Sequence, residues 1–96
     1  MSYYFMANIR ISDPQEYQKY LDSSGEIFDK YKGTYLAIDN DPEVLEGDWA
    51  YSRAVLISFP SREDFLAWYN SAKYQEILKY RLSAAECDTL LIQGKS

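Results

Sequence analysis

The sequence contains two similar segments that are separated by half the length of the 96-residue chain. Residues 7–20 and residues 55–68 each carry an alternating apolar run followed by a helix-start pattern. The matching positions are, in pairs, Ile9 and Ile57, Ile11 and Phe59, Glu16 and Asp64, Tyr17 and Phe65, and Tyr20 and Trp68. Two copies are too few for a solenoid, which needs several stacked repeats. The repeat therefore predicts a duplicated strand–helix–strand unit.

The first copy predicts a strand, a helix and a second strand. Apolar residues occupy every second position from 3 to 11, as in a half-buried strand. Asp13 is then in place as a helix N-cap, Pro14 fits the first helical position, and Glu16 is the capping-box partner. We expect this helix to end at Gly33 in a left-handed conformation, before a second strand at residues 34–38.

The second copy predicts the same order of elements. Residues 52–59 form a third strand, Ser61 caps a helix with Asp64 as its box partner, residues 74–82 continue as helix, and residues 88–93 form the last strand. With right-handed crossovers, this order gives a four-stranded antiparallel sheet with the helices on one face. We therefore predict an α+β ferredoxin-like fold, formed by a single domain over residues 1–96.

The sheet face opposite the helices is predicted to be largely apolar. It would carry Tyr4, Met6, Asn8, Ala54, Leu56 and Ser58, with Thr34, Leu36 and Ile38 beside them. An apolar face of this extent on a small domain indicates an interaction surface, and a two-fold dimer would cover it. We expect a homodimer whose two sheets pack face to face, as in a dimeric α/β barrel.

The composition argues against several classes of function. The net charge of -5 disfavours nucleic acid as a partner, because phosphate binding depends on Lys and Arg. The absence of histidine removes the usual general base near neutral pH and the commonest metal ligand. Cys87 alone forms no intramolecular disulfide, and the N-terminus lacks the pattern of a secretory signal. We expect a cytoplasmic protein with no cofactor, no metal and no membrane partner.

The acidic loop between the second and third strands is the remaining place for a cation. Its carboxylates are those of Asp39, Asp41, Glu43, Glu46 and Asp48. An EF-hand loop needs glycine at its sixth position, where this loop has Val44, and Pro42 stiffens the backbone. We interpret the loop as a solvated acidic segment.

A series of segments resembles a known family. DPQEYQKY at 13–20, Gly33, LEGDW at 45–49, Arg53, FPS at 59–61 and WYNSAKY at 68–74 follow one another in this order. The series resembles the family of domain of unknown function 1330, in the dimeric α/β-barrel superfamily. The resemblance implies a ferredoxin-like protomer that dimerises through its sheet, and it implies no particular reaction. The wider superfamily includes cofactor-free monooxygenases, isomerases and haem-binding proteins, of which the haem chemistry needs a histidine absent here.

Arg53 and Trp49 form the first candidate ligand site. Arg53 could hold a carboxylate through two hydrogen bonds while Trp49 supplies an apolar wall. Alternatively, Arg53 pairs with Glu46 or Asp48, and Trp49 packs at the edge of the dimer.

Asn8 and Ser58 form the second candidate site, with Arg10 on the same face. We expect Asn8 and Ser58 to lie near each other, where they could orient a small molecule or hydrogen-bond to one another. Tyr69 and Tyr74 are less clearly buried, and a phenol beside Arg81 could act as a weak acid or donor, although packing at an interface is the default.

Two functions are consistent with these observations. The first is a homodimeric barrel that binds a small aromatic or carboxylated molecule in the cleft of its sheet and has a cofactor-free isomerase or oxygenase-like activity. The second is a non-catalytic dimeric interaction or regulatory protein, which the lack of a nucleophile–base pair favours. The sequence identifies no catalytic residue.

Overall fold

Four strands and three helices make up the part of the chain that the structure, a computed structural model, describes, residues 1–95. Their bounds are β1 Tyr3–Ile11, α1 Pro14–Phe28, β2 Thr34–Asp39, β3 Arg53–Phe59, α2 Arg62–Tyr69, α3 Ala72–Ala84 and β4 Ala85–Gln93. The sheet order is β2-β3-β1-β4, and every neighbouring pair is antiparallel. The predicted ferredoxin-like fold is confirmed.

The core lies between the sheet and the helices. Cross-strand pairs such as Phe5 with Ile57 and Ala7 with Val55 point towards the helices and are buried. Aromatic rings from β1, β3 and the helices fill this layer in stacked and edge-to-face pairs, which contribute beyond the apolar area that they bury. The apolar positions of the internal repeat therefore serve one shared core.

Each helix begins at a side-chain cap. The carboxylate of Asp13 accepts from the amide of Glu16 at 3.2 Å, and the hydroxyl of Ser61 accepts from the amide of Asp64 at 3.1 Å. Both predicted caps are confirmed. A third cap, Ser71 to the amide of Tyr74 at 3.2 Å, starts α3 two residues earlier than the apolar pattern indicated.

The expected role of Gly33 as a left-handed helix cap is wrong. Helix α1 ends at Phe28, and the glycine with positive φ in residues 1–95 is Gly47. A Cβ atom on Gly33 would lie 2.7 Å from Cε1 of Phe28 and 2.8 Å from Cε1 of Phe59. Glycine is therefore needed at position 33 because two aromatic rings pack against its backbone.

The predicted register of β2 is wrong in its second half. The pairing with β3 shifts just before Ala37, so that Ala37 pairs with Leu56 and Ile38 with Val55. Such a bulge changes which face the following residues occupy. Ala37 therefore lies on the open face, Ile38 lies on the opposite side, and Leu36 lies at the irregularity.

The open face of the sheet has no helix over it and is mainly apolar, with the charged residues Arg10, Asp39, Glu86 and Asp88 at one end. It carries side chains from all four strands: Tyr4, Met6, Asn8, Thr34, Ala37, Ala54, Leu56, Ser58, Leu90 and Ile92. Leu90 is 59% exposed and Ile92 is 41% exposed. Strand β4 starts at Ala85, three residues earlier than predicted. Leu90 and Ile92 lay within the predicted strand, but they were not assigned to this face.

Candidate functional site

Arg53 begins β3 and faces the helices. It pairs with Ile9, and the carbon of its guanidinium lies 5.9 Å from the ring centre of Tyr17. Its Nη1 donates to Oδ1 of Asn40 at 2.7 Å, whereas its Nε is buried without an acceptor. No carboxylate of residues 1–95 lies within 4.0 Å, so the alternative in which Arg53 pairs with Glu46 or Asp48 is wrong.

A second arginine lies in the same layer and, unlike the partly buried Arg53, is fully buried. Arg81 of α3 is 3% exposed, and the carbon of its guanidinium lies 5.8 Å from the ring centre of Tyr20. The sequence predicts a phenol beside Arg81, whereas the burial of Arg81 itself was not predicted. The signal was present, because Arg81 follows Tyr74, Ile77 and Leu78 at helical spacing on the buried side of α3.

Tyrosines separate the two arginines. The rings of Tyr17 and Tyr20 lie 5.7 Å apart, and the hydroxyls of Tyr20 and Tyr74 lie 2.7 Å apart. Burial raises the pKa of Tyr20 well above its usual value, and burial also raises the pKa of Tyr74, which is fully buried although the sequence pattern made its burial less clear. The phenols therefore stay neutral and contribute hydrogen bonds, not negative charge.

Asn8 and Ser58 lie on the open face, but they are not neighbours. Asn8 pairs with Ala54, whereas Ser58 pairs with Tyr4, four positions along β1 from Asn8. This spacing corresponds to about 13 Å along an extended strand. The expected proximity of Asn8 and Ser58 is therefore wrong. Oδ1 of Asn8 is buried and has no hydrogen-bond partner.

The expected single cleft is divided between the two faces of the sheet. Arg53 lies on the helix side, whereas Asn8 and Ser58 lie on the open side. Tyr69 lies in the aromatic core on the helix side, where its ring stacks on Phe65 at a centroid distance of 5.3 Å. These residues are not brought together at one place.

The loop between β2 and β3 holds a separate cleft of about 380 Å³. It is lined by Pro42, Glu43, Val44, Leu45, Glu46 and Trp49. Trp49 is 37% exposed and meets the ring of Tyr51 edge-on at 5.0 Å. The hydroxyl of Tyr51 donates to Asp88 of β4. Tyr51 comes just before β3, and β1 lies between β3 and β4, so the side chain of Tyr51 crosses β1.

Within residues 1–95, no three acidic or cysteine side chains come together as metal ligands would. No helix in the same range has the length and apolar character needed to cross a bilayer.

The fold and these residues define a class: a ferredoxin-like α+β domain with an unneutralised arginine pair in its interior layer and an uncovered apolar sheet face. The chain belongs to the family Domain of unknown function (DUF1330), which matches residues 2–95. None of the curated protein sequences gives a significant match.

Solved structures share this fold at low sequence identity. A protein of unknown function from Rhodopseudomonas palustris has a TM-score of 0.81 and 17% identity, covering 99% of this chain and 83% of that chain. SnoaB, a cofactor-independent oxygenase from Streptomyces nogalater, has a TM-score of 0.70 and 10% identity, covering 99% and 94%. A dimeric ferredoxin-like protein of unknown function from Thermobifida fusca has a TM-score of 0.69 and 16% identity, covering 98% and 92%.

Proposed function

We propose that the protein is a homodimer that binds a small aromatic carboxylate at Arg53. The observation that carries the proposal is the unmet hydrogen-bonding capacity of this guanidinium. Its buried Nε has no acceptor, and its Nη1 is held by the neutral amide of Asn40. A carboxylate accepts from two nitrogens of one guanidinium and neutralises its charge, which a single amide oxygen does not.

The surroundings of Arg53 support an aromatic body for the ligand. The ring of Tyr17 lies beside the guanidinium, and Asn40 is the first residue of the loop that contains Trp49. The cleft of this loop has a volume in the range of small-molecule sites. A carboxylate that replaces the Asn40 amide at Arg53 would leave the rest of the ligand near this loop.

The open face supports the dimer. Leu90 and Ile92 are exposed there, and the buried Oδ1 of Asn8 has no donor within its own chain. A second copy would cover the apolar side chains, and its polar groups, or a ligand held between the two sheets, would supply donors to Asn8 and Ser58. The dimeric protein from Thermobifida fusca has the same fold, which agrees with this arrangement.

The fold that the chain shares with SnoaB supports cofactor-free oxidation as a reaction to test, with isomerisation beside it. Oxygen uptake in the presence of a bound ligand would identify an oxidation. Product formation under anaerobic conditions would identify an isomerisation.

A second candidate function is a non-catalytic dimeric interaction or regulatory protein. The chain has no histidine, and the cleft in the β2–β3 loop is lined by apolar residues together with Glu43 and Glu46, with Leu45 at 86% exposure. Exposed apolar side chains of this kind are typical of contacts with other proteins.

A thermal-shift screen with small carboxylates and their neutral amides distinguishes the two candidates. Carboxylates are expected to raise the melting temperature, and Arg53→Ala is expected to abolish the effect of the strongest hit. Arg62→Ala, at an exposed arginine that makes no ion pair within residues 1–95, is the matched control. Unchanged affinity in Arg53→Ala would remove Arg53 from the site, and a screen without hits would favour the interaction protein.

A further inference from the structure

Arg81 is a buried cation without an acidic partner. It is 3% exposed, and the ion pairs formed within residues 1–95 are Arg10 with Glu86 and Lys19 with Glu16. Burying a charge is costly unless an opposite charge lies beside it. A guanidinium does not relieve this cost by losing its proton at physiological pH. The layer between helices and sheet therefore holds an uncompensated positive charge.

The phenols around Arg81 do not neutralise it. Tyr20, Tyr74 and the thiol of Cys87 face the guanidinium, and burial raises the pKa of both phenols, so the phenols remain protonated. The charge of Arg81 can therefore act on other groups in the layer, because a protein interior screens a charge far less than water does.

The rings of Tyr20 and Tyr17 lie between Arg81 and Arg53. Arg81 lies over the ring of Tyr20, Tyr20 packs on Tyr17, and Tyr17 lies beside Arg53. Burial raises the pKa of the Tyr17 phenol, while Arg53 and Arg81 both act to lower it. The two guanidiniums thus act on the same phenol, at the position where the proposed ligand would lie.

We infer that Arg81 determines the charge preference of the site at Arg53: it favours a small aromatic carboxylate over the neutral amide of the same shape without touching either. This inference rests on the proposed function. In it, Arg53 makes the direct contact with the carboxylate, and Arg81 is a specificity residue that acts through its charge. The net charge of the chain is -5, and the two guanidiniums provide a local positive field that opposes it at this site.

Benzoate and benzamide distinguish the effect of charge on binding from the effect of shape, because they share a ring and differ in charge. Their affinities are to be measured by titration calorimetry on the full chain and on Arg81→Met, Arg81→Lys and Arg62→Met. Arg81→Met removes the charge at similar side-chain volume, Arg81→Lys keeps it, and Arg62→Met removes one exposed charge as a control. Arg81→Gln takes the place of Arg81→Met if the methionine variant does not fold.

The unaltered chain is expected to bind benzoate more tightly than benzamide. Arg81→Met should weaken benzoate binding by about fivefold or more and leave benzamide binding unchanged, since the loss of a unit charge in a weakly screening interior affects an anion but not a neutral molecule. Arg81→Lys and Arg62→Met should both retain the preference for benzoate. An equal loss of affinity for both ligands in Arg81→Met, or an unchanged affinity for benzoate, would overturn the inference and leave the proposed function standing. Binding of neither ligand to the unaltered chain would overturn the proposed function and the inference with it.

Discussion

The hydroxyl oxygens of Tyr20 and Tyr74 lie 2.7 Å apart and join α1 to α3 in the interior of the protein. One phenol donates to the other, so each satisfies a group that would otherwise be buried without a partner. Tyr74 is fully buried, and its ring also packs on Trp68 at a centroid distance of 4.2 Å. The pair therefore contributes to the packing of the helices as well as to the polar layer beside Arg81.

Tyr20→Phe is expected to lower the free energy of unfolding by about 1–3 kcal/mol, because the Tyr74 hydroxyl is left buried without its partner. The double variant with Tyr74→Phe should lose less than the sum of the two single variants, since it leaves no orphaned hydroxyl. Urea unfolding of the four proteins in the cycle measures this coupling. Tyr80→Phe, at an exposed position, is the control and should change stability little. Additive losses would contradict the pairing.

Alkaline pH is expected to destabilise the protein through the same residues. Burial raises the pKa of Tyr20 well above 10.0, and burial also raises the pKa of Tyr74 and Tyr17. Above about pH 10 the unfolded chain loses phenolic protons that the folded chain keeps, so the free energy of unfolding falls as pH rises. Below that pH the phenols are protonated in both states, and their contribution is constant.

Urea unfolding at a series of pH values checks this prediction. The decline above about pH 10 should be shallower in Tyr20→Phe, because one shifted phenol is removed. An equal decline in both proteins would show that other groups cause the alkaline loss.

The elements that the sequence predicted correctly depend on local interactions. Alternation along β1 and the caps at Asp13 and Ser61 are set by residues within four positions of one another. The internal repeat predicted the order of the elements. The rule that crossovers are right-handed then excluded all but one sheet topology. The open apolar face followed from that topology.

The features that the sequence did not predict depend on distant partners. The bulge in β2 is fixed by its pairing with β3, and the ring contacts at Gly33 come from residues in two other elements. The side of the sheet that Arg53 faces could have been predicted from the sequence. Arg53 and the buried Val55 are two positions apart on one strand, so their side chains point to the same face. This orientation was missed because an arginine next to an acidic loop suggests a surface ion pair.

Gly33→Ala is expected to destabilise the protein by about 1–3 kcal/mol, since the added methyl group would overlap the rings of Phe28 and Phe59. Gly25→Ala is the matched control, because nothing lies within 4 Å of the added Cβ in the last turn of α1. It should stabilise the protein by about 0.5–1 kcal/mol, the usual gain of alanine over glycine in a helix. Thermal unfolding of both variants measures the difference, and a neutral Gly33→Ala would contradict the close packing.

Leu90→Glu is expected to convert the proposed dimer into a monomer. Leu90 is 59% exposed on the open face, where it pairs with Met6, and two copies of the glutamate would be buried in the interface. Burial of an unpaired carboxylate costs more free energy than burial of one leucine side chain contributes. Leu82→Glu is the control, because Leu82 is 60% exposed but lies on α3, on the other side of the sheet.

Light scattering at micromolar concentration should give a dimer for the unaltered chain and for Leu82→Glu, and a monomer for Leu90→Glu. A monomer in all three proteins would contradict dimerisation, and a dimer in all three would place the interface away from Leu90.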